Sequence, residues 1–119
     1  MKKICAIHQP NFFPWLGYFQ KIARADVFVL LDDVQFPKKG GSWTNRVKLN
    51  VQNQASWVTV PIVRRSGYWL NNQIEISDFR WQKKLVSTIQ ANYAQAPFFD
   101  NYSELIEDSI VYPETNLVK

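Results

Sequence analysis

His8, Gln9, Asn11 and Trp15 fall within one short, proline-punctuated segment, and together they offer an imidazole, two carboxamides and an indole. Asp32 and Asp33 follow a second apolar run, and a carboxylate beside an imidazole can orient it as a general acid or base. The alternative is that His8 hydrogen-bonds backbone in a tight loop and that an aspartate caps one. A third group is cationic and aromatic: Trp43, Asn45, Arg46, Lys48 and Trp57. Arg46 has the planar fork that grips phosphate or carboxylate, Asn45 offers polar contacts, and Trp15 or Trp43 can stack on a ring. The same mixture suits single-stranded nucleic acid. It equally suits tryptophans that pack a hairpin onto a core.

Other chemistries are excluded by what the chain lacks. Cys5 is the one cysteine and His8 the one histidine, which rules out an intramolecular disulfide, a cysteine zinc site, a C-x-x-C redox pair and a histidine-rich metal centre. Three residues apart on an extended strand, Cys5 and His8 point to opposite faces, so Cys5 is expected to be a buried structural thiol. Neither G-x-x-x-x-G-K-[ST] nor G-x-G-x-x-G is present, and no cofactor is named by the sequence. The net charge of +4 is unevenly spread: residues 34–74 contain no carboxylate but carry Lys38, Lys39, Arg46, Lys48, Arg64 and Arg65. Such a segment attracts an anionic ligand or is a solvated basic face. Aspartates bordering the expected pocket, and the small number of cations, argue against nucleic acid as the partner.

The elements that position these residues begin with an apolar run over residues 3–7, read as a short strand. Residues 8–14 form an aromatic loop in which Pro10 and Pro14 disfavour helix, and Pro14 suits the first turn of an amphipathic helix over residues 15–25. Residues 27–31 are continuously apolar, which predicts a central strand covered on both faces. Strand, helix, strand implies a right-handed βαβ unit whose strand ends gather His8 and Asp32 at one edge, beside a helix N-terminus suited to anions. After a Gly40-Gly41 hinge, residues 43–51 and 56–62 read as an antiparallel hairpin, residues 64–72 as a loop and residues 73–76 as a short strand. Ser77 or Asp78 caps a helix running to Tyr93 with a buried stripe of Leu85, Val86, Ile89 and Tyr93, and Pro97 separates it from a helix over residues 102–111.

The 119 residues are 46% hydrophobic, 15% aromatic and 20% charged, which predicts one folded domain, and the order of elements makes its expected class α/β. Charged residues interrupt every apolar stretch before membrane-spanning length, and no apolar leader follows Lys2 and Lys3. A cytoplasmic protein is expected.

The segment Ile7-His-Gln-Pro-Asn-Phe-Phe-Pro-Trp-Leu-Gly-Tyr-Phe19, then Lys21 and Ala25-Asp-Val-Phe-Val-Leu-Leu-Asp-Asp-Val-Gln-Phe36, closely resembles the opening of WbqC-like proteins. Asn45-Arg46, Trp57-Val-Thr-Val-Pro61, Trp81 and Ala96-Pro-Phe-Phe99 resemble that family's later blocks in the same order. The resemblance implies a single domain over residues 1–119 that corresponds to an N-terminal portion of the family pattern, truncated or naturally short at its C-terminus. It marks His8, Gln9, Pro10, Asn11, Pro14, Trp15, Gly17, Tyr18, Lys21, Asp26, Asp32, Gln35, Asn45 and Arg46 as motif positions. It also implies action on a nucleotide-linked sugar or similar anionic precursor, by group transfer of the transferase type, in bacterial surface-polysaccharide, lipopolysaccharide and O-antigen synthesis. The expected catalytic pair is His8 with Asp32; Gln9, Asn11, Trp15, Lys21, Trp43, Asn45 and Arg46 bind ligand. A non-catalytic binding module is the alternative, and a homodimer is compatible with either. The order of elements further resembles nucleotidylyltransferase-type, HUP-like sheets, although the histidine-x-glycine-histidine turn of those folds is replaced here by Trp15-Leu-Gly17-Tyr18.

Overall fold

Strand β1, Cys5–His8, pairs in parallel with β2, Val27–Leu30, so that Cys5 lies opposite Val27 and His8 opposite Leu30. The computed structural model in which this is seen describes residues 1–38 and 42–119, and the Gly40-Gly41 hinge lies outside the described residues. Helix α1, Leu16–Ala23, connects the two strands and completes the βαβ order. β1 reaches one residue past the apolar run because the His8 carbonyl accepts the Leu31 N–H at 2.9 Å. Trp15 is extended at φ −68° and ψ 163° and serves as the N-cap, so α1 starts just after it.

The expectation that the second strand is covered on both faces is corrected. Val27, Val29 and Leu30 are 48%, 38% and 55% exposed. The cause is the sheet's size: β1 and β2 are its two strands among the described residues, and α1 covers one face, where Tyr18 meets His8 and Phe28. Cys5 alternates onto the other face with Ile7 and is exposed, which corrects its reading as a buried thiol.

The hairpin consists of β3, Arg46–Val51, and β4, Gln54–Thr59, in antiparallel register from Arg46 opposite Thr59 to Val51 opposite Gln54. The turn is shorter than expected, since Gln52 and Asn53 alone make it, with φ of 51° and 62°. Positive φ at both central residues is the geometry that matches strand twist in a two-residue hairpin. The C-terminal end of α2, Arg80–Tyr93, steadies it: Gln52 N–H donates to Asn92 Oδ1 and Asn50 N–H to the Tyr93 hydroxyl, both at 2.8 Å. Helix α3, Phe99–Ile110, starts three residues earlier than its expected position and packs on α2. No helix among the described residues is long and apolar enough to cross a membrane.

Residues 73–76, expected as a strand, instead begin with the last residue of a 3-10 turn, Asn71–Gln73, and continue without a ladder. Isolated bridges join Ile62 to Ile76 and Glu75 to Asn116, so the segment is held from both sides without the length for a ladder. The N-cap of α2 is Phe79 rather than Ser77 or Asp78; Asp78 stands just before it and its carboxylate accepts the Arg80 N–H at 2.8 Å, and hydrogen bonds from Arg80 hold this carboxyl below the usual aspartate range.

The core gathers Leu85 and Ile89 of α2 with Ile110 of α3, and Leu49, Val58, Phe12 and Phe13 pack against it. The alternation of β3 and β4 explains its reach: Leu49 and Val58 turn inward while Lys48 and Trp57, a cross-strand pair, turn outward. Leu85 is 2% exposed, so Leu85→Ala is expected to leave a cavity and to cost about 2–5 kcal/mol in a urea melt. A loss below about 1 kcal/mol would show that this cluster is not the main core.

Candidate functional site

The loop from Gln9 to Trp15 turns sharply because Phe13 adopts φ 44° ahead of Pro14. A left-handed conformation costs a non-glycine residue about 1 kcal/mol or more. The Phe13 side chain offsets it by packing against the α2–α3 core, beside Phe12, whose ring meets Trp81 edge-on at 5.9 Å. The Phe12 N–H donates to the Trp43 carbonyl at 2.8 Å, which ties this loop to the start of the hairpin. Trp15 and Trp43 thereby become walls of the same cleft.

That cleft is about 560 Å³ and brings together His8, Gln9, Asn11, Trp15 and Trp43, with Ser42 and Thr44 contributing buried hydroxyls. Asn11, Trp15 and Trp43 also line an adjoining hollow of about 700 Å³ that includes Lys48. Five of the residues singled out from the sequence therefore share one site. Asp32, Lys21, Asn45 and Arg46 are outside its lining.

His8 is half-buried and held by backbone. Its Nδ1 lies 2.8 Å from the Gln9 carbonyl oxygen, and since a carbonyl can only accept, Nδ1 carries the proton. In the neutral ring Nε2 is then the basic nitrogen. The same carbonyl accepts the Tyr18 hydroxyl at 3.1 Å. Burial pushes the Tyr18 phenol above its ordinary value, which keeps it protonated and a donor. Tyr18, 4% exposed, also packs edge-on against His8 at 4.8 Å and Trp15 at 5.7 Å. It was a motif position in the sequence without a place among the site residues; its role as the support for the imidazole rests on helical position, three residues after the N-cap.

Asp32 sits at the sheet edge that the βαβ order predicts, but its Oδ1 accepts Asn72 Nδ2 at 3.5 Å and no hydrogen bond joins it to His8 among the described residues. Lys21 Nζ donates to the Ile7 carbonyl at 3.2 Å. Asn45 is 5% exposed and pairs with Val60 in both directions, accepting its N–H at 2.7 Å through backbone and donating Nδ2 to its carbonyl at 3.2 Å. It closes the open end of the hairpin and so places Arg46. The Arg46 guanidinium lies 4.0 Å over the Trp57 ring, with Lys48 Nζ 5.0 Å from it and Trp43 at 5.3 Å. The tryptophans thus face outward with the cations rather than packing the hairpin onto the core. Two asparagines that sequence reasoning passed over, Asn71 and Asn72, connect the site to the rest of the chain. Asn71, fully buried, donates Nδ2 to Gln9 Oε1 at 3.4 Å. Their amides are indistinguishable in sequence from ordinary loop residues. Among the described residues no three His, Cys, Asp or Glu side chains converge to hold a metal ion.

Gly17 explains its own motif position. A Cβ there would stand 2.7 Å from Trp15 Nε1, so only glycine lets the indole fold back over the first turn of α1. Gly17→Ala is expected to leave stability unchanged or raise it by up to about 1 kcal/mol, because alanine favours helix. It should also displace Trp15 from its 5.6 Å contact with His8, read as a shift of the Trp15 indole resonance. An unmoved resonance would show that the loop, not the indole, absorbs the methyl group.

A match to the WbqC-like protein family extends over residues 9–119. The chain is also 35% identical over 100 residues to the uncharacterized protein Rv1507c of Mycobacterium tuberculosis (strain ATCC 25618 / H37Rv), an alignment covering 83% of this chain and 42% of that protein. The chain therefore spans less than half the length of that relative. No solved structure matches it. With a match that runs from Gln9 through the cleft, the hairpin and both C-terminal helices, the chain belongs to the WbqC-like protein family.

Proposed function

We propose that residues 1–119, acting as one WbqC-like α/β domain, handle a nucleotide-activated sugar or similar anionic precursor in bacterial surface-polysaccharide synthesis, including O-antigen, and that the reaction is a group transfer. The observation that carries this reading is the His8 imidazole, fixed through Nδ1 on the Gln9 carbonyl in a cleft walled by Trp15 and Trp43. In this reading His8 Nε2 takes the proton from an attacking hydroxyl or amine. The new bond forms at the transferred group, and its bond to the nucleotide phosphate breaks with the electron pair leaving on that phosphate. Asp32, which this reading pairs with His8, stands at the same sheet edge with its carboxylate on Asn72 rather than on the imidazole. Trp15 or Trp43 stacks on a ring, Asn11 and Gln9 offer amide contacts, Arg46 and Lys21 attract the phosphates, and Asn45 keeps Arg46 in place. The likeness of the βαβ unit to nucleotidylyltransferase-type sheets belongs to this proposal and rests on the order of its elements.

A second reading, a non-catalytic binding module, is favoured by the engagement of Asp32 with Asn72. Uridine-, guanosine- and thymidine-diphosphate sugars separate the two. A ligand at about 100 times its Kd adds about 2.7 kcal/mol to the native state, so one nucleotide class is expected to raise Tm. His8→Ala is expected to retain that shift and its own Tm while turnover falls by about 100- to 10,000-fold. Binding with no turnover in the unaltered chain would favour the module, and loss of folding in His8→Ala would make His8 structural.

A further inference from the structure

We propose that a second cavity, rimmed by Lys38, Arg64 and Arg65 over a floor of Phe36 and Ile74, binds a small organic anion with a flat ring. The cavity is about 290 Å³. A cavity of about 150 Å³ admits benzene, so there is room for one ring and its anionic group but not for a nucleotide sugar. The floor is apolar: Phe36 is 9% and Ile74 5% exposed, and Trp69 adds an aromatic wall. Three cations on the lining face one carboxylate, Glu75. That carboxylate is already engaged by Arg65 at 2.5 Å, and Arg65 also lies 4.9 Å from the Trp69 ring centre. Arg65 is held between a carboxylate and an indole, while Arg64 and Lys38, which make no ion pair among the described residues, add positive charge to the rim.

The cavity is built rather than incidental. The Phe36 N–H donates to the Trp69 carbonyl at 2.8 Å and the Asn71 N–H to the Val34 carbonyl at 2.9 Å, strapping its floor to its wall. Pro37 lines both this cavity and the His8 cleft, so the two adjoin. Resting on the group-transfer reading of that cleft, the anion bound here is the second substrate.

The test titrates phenyl phosphate, benzoate and inorganic phosphate into the isotopically labelled chain and follows the Trp69 indole N–H, assigned with Trp69→Phe. Either ring anion is expected to shift that signal saturably, with inorganic phosphate about tenfold weaker. The tighter of the two identifies phosphate or carboxylate as the natural head group. Arg64→Ala should weaken binding about tenfold. Glu75→Gln should tighten it, because it releases Arg65, whereas a merely bracing role for Glu75 would make the same change weaken it. Arg64 and Glu75 are exposed, so Arg64→Ala and Glu75→Gln are expected to melt like the parent. His8→Ala should leave this affinity unchanged, which separates the site from the chemistry proposed next door. An unshifted Trp69 signal with both ring anions, or an affinity indifferent to Arg64→Ala, would overturn the site, and weaker binding in Glu75→Gln would overturn the competition between Glu75 and the anion for Arg65. The second-substrate role is overturned separately if a saturating ring anion neither supports nor slows turnover at the His8 cleft.

Discussion

The 2.8 Å hydrogen bond from the Phe12 amide to the Trp43 carbonyl joins two parts of the chain that neither could complete alone. A two-stranded parallel sheet with one helix buries too little apolar surface to stand by itself. Here β1, α1 and β2 are fastened to the hairpin and helices through the loop that carries Phe12 and Phe13 into the α2–α3 core. The left-handed turn at Phe13 is the strain this imposes, and the burial of its ring offsets it. Because His8 ends the strand before that loop and Trp15 caps the helix after it, anchoring the loop also sets the cleft.

A second strap works in the same direction. Residues 32–36 are bonded to residues 69–72 through Phe36, Val34 and Asp32, with the fully buried Asn71 at the centre. The buried amides of Asn71 and Asn45 each donate through Nδ2, worth about 1 kcal/mol net per hydrogen bond, while their Oδ1 atoms have no partner among the described residues. Their work is to hold backbone in register. The cations and tryptophans are left outward: Arg46 and Lys48 on Trp57, Arg65 on Trp69 and Lys38 on Tyr68 at 4.1 Å. Aromatic faces orient these cations, and Arg65 also meets the Glu75 carboxylate.

Much of this was legible in the residues. The period of Leu85, Val86, Ile89 and Tyr93 placed α2, and the apolar runs either side of Leu16 and Phe19 predicted the parallel pair. The His8-Gln9-Asn11-Trp15 cluster stood out because prolines confine it to one turn beside a strand end. Burial was less legible. The run of residues 27–31 reads as a central strand whatever lies around it, because hydrophobicity reports what could be buried and not what partner arrives. The exposure of Cys5 follows from the same shortfall of cover.

Local covalent spacing and side-chain periodicity thus determined the order of elements, the exclusion of disulfide and cysteine-metal chemistry, and the segment that holds the imidazole. Tertiary structure alone decided which groups meet. It put the Gln9 carbonyl, not Asp32, on His8 Nδ1, turned Asn45 into a clasp on Val60, and set Arg65 against Glu75 and Trp69. Those pairings depend on where separate segments cross, and a hydrogen bond is made or lost over distances shorter than the width of one side chain.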